Sequence, residues 1–332
     1  MNELREKLEK FLTDNDQSLD FEQLTQDAST REYFRVKWNG QPAIACVYPF
    51  NDLCLGQFEA CLDVTNVFRS ENLPVAEILT FDAEKQIIVH EDFGNAILRD
   101  VLANAGAAER EKLLDEAISF IARIQAATNK AFELDSISSR LKFDEQKLLW
   151  ELNFFKEHYF TSLKKQPLSA EDDAELNAEF IEIARELESK ATVLCHRDFH
   201  AANLMVKDGE LKIIDHQDAR IGSTTYDLVS LLLDRVLEMP DENWLKDKKL
   251  LLLNAREKLN LEAIDFENFD EEFQLQTVQR CLKAVGTFSF QSTFRGKNYF
   301  IPFIEPMLKI VLEAAQKLNG FPKLQVIVRK EV

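Results

Sequence analysis

The dominant hydrophobic period of this chain changes near residue 94, and nothing else in the sequence limits the possible folds so strongly. Before that point apolar and polar residues alternate with a period of two, as strands with one buried face require. Residues 33–38 (YFRVKW) read as a strand, Asn39-Gly40 as a tight turn, and residues 43–47 as the returning strand. A second pair is expected at 78–81 and 86–90, turning at 82–85. Residues 55–68 between the pairs have helical spacing. The N-terminal stretch MNELREKLEKFLTDND places Leu4, Leu8, Phe11 and Leu12 on one helical face and is too charged for a signal peptide.

After Glu91-Asp92-Phe93-Gly94 the period becomes 3.6. Helices are expected at 107–127, 143–163, 170–187, 224–237, 243–259, 273–288 and 299–318. One island of short strands interrupts them: 193–195, then a hairpin of 204–206 and 211–214 turning at Asp208-Gly209. The expected architecture is therefore α+β and two-lobed. A small antiparallel-sheet lobe spans 1–93, and a mainly helical lobe spans 94–332 and carries the strand island. A cleft between two such lobes is the usual place for a ligand.

Composition removes several classes of function. A formal net charge of −18 disfavours nucleic acid and anionic membrane surfaces, both of which need basic patches. No apolar run approaches the roughly 20 residues that cross a bilayer. The five cysteines (46, 54, 61, 195 and 281) are odd in number, widely spaced and without a C-x-x-C pair. They read as reduced thiols of a cytoplasmic protein rather than a disulfide framework or zinc site.

The island itself reads CHRDFHAANLMVKDGELKIIDHQD. His196-Arg197-Asp198 is followed five positions later by Asn203, the H-R-D-x-x-x-x-N pattern of kinase catalytic loops, and Asp215 closes the next apolar strand. Phosphoryl transfer gathers negative charge on the moving group, so its site needs hard cations held by oxygen. Asp215 offers a carboxylate and Asn203 a neutral amide oxygen for Mg2+, and Asp198 is placed to orient a hydroxyl and accept its proton. His196-x-Asp198-x-His200 has the spacing of a zinc or di-metal hydrolase, but that reading leaves Asn203 and Asp215 idle. His196 reads as loop packing, and His200 as either a substrate contact or a turn cap.

On these residues the chain resembles the aminoglycoside phosphotransferase and choline kinase superfamily, and within it the bacterial anomeric kinases of N-acetylmuramate and N-acetylglucosamine in cell-wall recycling. Three segments carry the narrower likeness: DASTREYFRV (27–36), DHQDARIGSTTYDLVSLL (215–232) and RCLKAVGTFSFQSTFRGKNYF (280–300). The resemblance implies ATP in the cleft, its adenine on the backbone near Glu91 to Phe93, and transfer to the anomeric hydroxyl of a free sugar. It also implies Asp198 as base, with Asn203 and Asp215 on the metal. Other acceptors in the same superfamily are aminoglycosides and choline; a catalytically inactive kinase-fold binding module is the remaining alternative.

Two departures bear on the nucleotide. The strand 43–47 (AIACV) has no lysine to hold phosphates, and Cys46 stands at its place; Glu59, where a lysine's partner is expected, reads as a surface acid. Arg31, Arg35 and Lys37 are the candidate substitutes, though each also reads as a solvated strand-face charge. There is no G-x-G-x-x-G, so the backbone amides of residues 27–31 are expected to cap the phosphates as a nest. For the acceptor, Gln217, Asp218 and Arg220 follow the metal aspartate directly, with His200 near by. Asp218 and Asp227 also suit loop or helix caps. Trp150 and Phe154 share a helical face that is more often core than ligand platform. Arg295, Lys297 and Tyr299 are further candidates for a carboxylate such as a lactyl group.

Overall fold

The structure, a computed structural model, describes residues 3–24 and 31–332. The segment expected to cap phosphates, 27–30, therefore lies outside the described residues. The small lobe begins with α1 (Glu3–Asp14), whose Leu8, Phe11 and Leu12 are buried on the sheet as their spacing predicts. The sheet is antiparallel throughout, in the order β1 (Glu22–Leu24), β2 (Glu32–Trp38), β3 (Gln41–Val47), β5 (Ile87–Glu91), β4 (Ile78–Asp82). The β2–β3 turn puts Asn39 (φ 49°) and Gly40 (φ 78°) in the left-handed region that a two-residue turn demands. Helix α2 (Asp52–Ser70) starts at Asn51, whose side chain accepts from the Cys54 N–H.

The large lobe runs α3 (Leu98–Asn104), α4 (Ala107–Ala126), α5 (Thr128–Glu133), α6 (Ile137–Arg140), α7 (Glu145–Phe155), a π-helical continuation (Lys156–Leu163) and α8 (Ala170–Ser189). The strand island follows: β6 (Val193–Cys195), the hairpin β7 (Leu204–Lys207) and β8 (Glu210–Ile213), and β9 (Arg220–Gly222). Then come α9 (Tyr226–Leu233), α10 (Glu242–Lys258), α11 (Phe266–Arg295), α12 (Ile304–Lys317) and α13 (Pro322–Arg329). Strand β9 pairs with β6, Cys195 opposite Arg220. Three residues cannot display alternation, so β9 was invisible in the sequence.

Other boundaries moved for local reasons. The helix expected to run to 237 stops at Leu233, and Arg235 soon after has φ 50°. The helix expected at 273–288 is the longer Phe266–Arg295, closed by Gly296 at φ 67°. The helix expected from 299 opens as a 3₁₀ turn, Asn298–Phe303, because Pro302 has no N–H for the i→i−4 ladder. No helix among the described residues is long and apolar enough to cross a membrane.

The lobes are laced together through α2. Val64, Val67 and Phe68 join the core of the large lobe rather than that of the sheet. Asp63 caps the start of α6, accepting from the Ile137 N–H at 2.8 Å and from the Ser136 hydroxyl. On the hairpin side Ile213 N–H donates to Pro74 O (2.9 Å) and Lys207 Nζ reaches Glu91 Oε1 (2.8 Å).

Helix α11 crosses the α7–π junction at Gly286, where a Cβ would sit 2.8 Å from Phe155 Cα and 2.9 Å from its N. Backbone cannot step aside as a side chain can. Gly286→Ala is expected to destabilise the fold by about 1–3 kcal/mol, read as a lowered midpoint in urea denaturation.

Candidate active site

The loop after β6 is held by one buried carboxylate. Asp227, in the first turn of α9, accepts from the His196 N–H (2.7 Å) and the Arg197 N–H (3.0 Å). This brace supports Arg197 at φ 84°, a conformation that a side chain resists. The His196 ring is fully buried, with Nε2 2.9 Å from Ile214 O, so it ties the loop to the strand preceding Asp215. His196 and Asp227 thus have the packing and capping roles that their positions suggested.

Two hydrogen bonds bring the three oxygen-bearing residues together. Asn203 Nδ2 donates to Asp198 O (2.9 Å), with Oδ1 unpartnered among the described residues, and Ile214 N–H donates to Asn203 O (3.1 Å). Asp215 then turns at φ 61°. Its Oδ1 accepts from Arg31 Nη2 and from Gln217 Nε2 (3.1 Å), while Oδ2 has no partner among the described residues. Next to it His216 stacks on Phe68 (5.2 Å) and meets Thr65 Oγ1 through Nε2 (2.7 Å), fixing the strand end against α2.

Asp198 lies among cations. Lys283 Nζ is 3.3 Å and Arg280 Nη2 3.7 Å from Oδ1, and Arg197 Nε is 3.9 Å from Oδ2. Burial works to raise its pKa, but Lys283, Arg197 and Arg280 outweigh burial and hold the carboxyl well below its ordinary value. Lys283 is depressed by burial and by Arg280 beside it. Lys283 and Arg280 were not singled out from the sequence. The available signal was two basic residues three apart within the mostly apolar VQRCLKAVG, a placement that a buried helix accepts only with a partner.

The remaining candidates divide. Arg31, a candidate phosphate-holding cation, has its guanidinium buried over Tyr33 and Tyr48 (5.5 and 5.8 Å) and reaches Asp215. Cys46, opposite Tyr33, is a buried thiol pushed up to about 12 by burial. Arg35, expected at the phosphates, is instead committed to the connection between the lobes. It pairs with Asp92 (2.7 Å) and donates to Gly94 O (3.2 Å) and Asn95 Oδ1 (2.8 Å). Lys37 pairs with Asp20 at the exposed end of the strand. Glu91 and Asp92 are also engaged there, the Glu91 carboxylate and the Asp92 carbonyl both taking Lys207 Nζ. Phe93 is buried, and its backbone N–H and C=O have no partner among the described residues. Glu59 is exposed.

On the acceptor side Asp218 pairs with Arg197 (3.0 Å), Arg220 lies close by, and His200 is lowered mainly by burial. Trp150, expected in the core, is 56% exposed, because Glu151 takes the inward position and accepts from Gln279 Nε2 (2.8 Å). Arg295 stands three turns beyond Lys283 on α11, roughly 18 Å at 1.5 Å per residue, too far to share its site; Lys297 and Tyr299 follow later still. These three do not join the cluster.

Asp215 and Asn203 fit magnesium by the chemistry of their donors. Both offer hard oxygen, and no cluster of three His, Cys, Asp or Glu that could hold an ion alone exists among the described residues. That suits an ion that takes its other ligands from phosphate and water.

The profile of the phosphotransferase enzyme family matches residues 20–261. The chain belongs to that family. Among curated proteins, this phosphotransferase is 27% identical to the N-acetylmuramate/N-acetylglucosamine kinase of Neisseria meningitidis serogroup B, covering 88% of this chain and 84% of that one. It is also 27% identical to the enzyme of that name from Caulobacter vibrioides, covering 88% and 86%. The structure of the gentamicin–APH(2")-IIa complex superposes with a TM-score of 0.63 at 13% identity, covering 98% and 99%. Choline kinase LicA from Streptococcus pneumoniae gives 0.61 at 12%, covering 94% and 100%. The fold is thus the two-lobed kinase-like α+β fold, and the phosphotransferase is a small-molecule kinase with a hydroxyl acceptor.

Burial pushes Asp227 up to about 6 against the pull of His196 and the two N–H donors. Between 3.8 and about 6 the folded chain keeps a proton that the unfolded chain has released. This group therefore favours folding below that window and loses the benefit as pH rises through it. Activity runs the opposite way, because a protonated Asp227 is a weaker acceptor for the loop. The expected kcat–pH profile falls below about pH 6, and Asp227→Asn flattens that limb at a lower plateau.

Proposed function

We propose that this phosphotransferase uses ATP and Mg2+ to phosphorylate the anomeric hydroxyl of a free amino sugar of the N-acetylmuramate or N-acetylglucosamine kind. The observation carrying this reading is the charge around the base: Arg197, Arg280 and Lys283 all approach Asp198 within 4 Å. An aminoglycoside or choline would bring positive charge to the same place and be repelled. A neutral or anionic sugar would not. The names of the curated relatives point the same way.

In this reading residues 1–93 hold the nucleotide and residues 94–332 the base, the metal ligands and the sugar, in a cytoplasmic enzyme. Asp198 accepts a hydrogen bond from the anomeric hydroxyl and aligns its oxygen with the γ-phosphorus. As the new P–O bond forms and the bridging P–O bond to ADP breaks, the hydroxyl proton passes to Asp198. A carboxylate held so acidic takes the proton late, so its main contribution is orientation. Lys283 and Arg280 keep it ionised and draw charge from the moving phosphoryl group. Arg31 holds the phosphates in place of a strand lysine, and Phe93 offers its backbone to adenine. Asp215 and Asn203 would hold magnesium, which would supply neutralising charge for the phosphate oxygens.

The test is a panel of N-acetylmuramate, N-acetylglucosamine, other hexoses, choline and aminoglycosides, scored for ADP release with NMR assignment of the product. Sugar 1-phosphate from an amino sugar is expected. Turnover confined to the cationic amines would overturn the reading.

A further inference from the structure

The acceptor side carries more positive charge than the base needs. Beyond Arg280 and Lys283, three more cations converge on it: Arg197, Arg220 and Lys147. The backbone sets their convergence. Phe143 N–H donates to Ile221 O (2.9 Å), so the start of α7 lies along β9, and Lys147 in the first turn of α7 comes beside Arg220. The Phe143 ring lies under the Arg220 guanidinium at 5.3 Å. Among the described residues, the carboxylates within 4 Å of these charged groups are Asp198, Asp218 and Glu151, with Asp234 also acting on Arg280. Five cations thus gather on one side of a site in a chain whose net charge is −18.

Of the five, Arg220 stands furthest from a carboxylate. Asp218 is already engaged by Arg197 at 3.0 Å, and it is 4.0 Å from Arg220 Nη2. Arg220's hydrogen bond is a 3.3 Å contact from Nε to the Asp218 backbone carbonyl. Its side chain is nevertheless only 11% exposed. A buried guanidinium without a carboxylate of its own at contact distance is unfavourable unless a ligand supplies one, and its planar fork suits two carboxylate oxygens. Lys147, 3.6 Å from Glu151, flanks it with its ammonium 4.1 Å over the exposed Trp150 ring. Trp150, partly exposed, adds an aromatic surface beside the charge. Burial and the neighbouring Arg197 both depress Arg220, in keeping with a cation short of counter-charge.

We propose that Arg220, flanked by Lys147, forms a carboxylate-recognition subsite, and that the favoured acceptor is an amino sugar bearing an ether-linked carboxylate, as N-acetylmuramate does, over its neutral counterpart. This rests on the sugar-kinase reading above and names the substrate within it. Arg220 and Lys147 act as specificity residues here: they touch the part of the acceptor that does not react.

The experiment compares kcat/KM for N-acetylmuramate, its methyl ester and N-acetylglucosamine in the wild type, Arg220→Gln and Lys147→Gln. In the wild type, esterification is expected to raise KM about tenfold or more, the scale of a charged hydrogen bond. The acid-to-neutral ratio of kcat/KM is expected to fall by a similar factor in Arg220→Gln and in the same direction in Lys147→Gln. The ester needs no variant, so it decides the matter even if Arg220→Gln does not fold. Should acid, ester and neutral sugar be used alike, or the variants lower all three in parallel, the subsite is refuted while the sugar-kinase reading stands. Wild-type enzyme that phosphorylates none of the three overturns that reading, and the subsite with it.

Discussion

Asp198→Asn is expected to lower kcat about 10²- to 10⁴-fold while leaving the KM for ATP close to that of the wild type. The substitution preserves shape and removes both the negative charge and the proton-accepting oxygen, so the loss falls on the acceptor hydroxyl and not on the nucleotide. It also leaves Lys283, Arg280 and Arg197 without the anion they share. Like charges at this spacing repel, so a lowered melting temperature accompanies the kinetic loss. The check is steady-state ADP release on the variant, with circular dichroism to establish that it is folded. A kcat within tenfold of the wild type would remove Asp198 from the chemistry.

Asp215→Ala is expected to abolish magnesium-dependent nucleotide binding. The residue combines two tasks in one carboxylate: Oδ1 takes Arg31 and Gln217, while Oδ2 is left for an ion. Its removal deletes the proposed charged metal ligand and also releases the Arg31 guanidinium, proposed to replace the strand lysine. Asn203, a neutral amide, cannot hold the ion alone. Titration calorimetry with ATP in magnesium and in EDTA separates the two tasks. The wild type should bind much more tightly with the metal, and the variant should bind equally weakly with or without it. A variant that kept the magnesium dependence would show that the ion is held elsewhere.

Legibility in the sequence followed chain distance. The hairpins, the long helices and the loop containing Asp198 and Asn203 each write their pattern within a few neighbouring residues, through turn types, apolar period and motif spacing. Arg35 looked like a phosphate contact because it lies on the same strand as Arg31, yet its partner Asp92 is 57 positions away and no local pattern announces the pair. Lys283 and Arg280 were obscured for the same reason: their partner Asp198 lies on the other side of α9 and α10 in the sequence. Trp150 misled because helical spacing gives a face without saying which side of the helix meets the core, and buried Glu151 settled that through Gln279. Strand β9 was too short to show a period at all.

Helix α2 leaves the small lobe and is riveted to the large one by Asp63 at the turn before α6 and by Thr65 and Phe68 on His216. A clamshell fastened in this way has a fixed heel, and the heel lies one residue from Asp215. When such a jaw breathes, its rim travels furthest and its heel hardly at all. Under the proposed kinase reading, opening at the rim would admit nucleotide and release product without changing the spacing between Asp198 and Asp215.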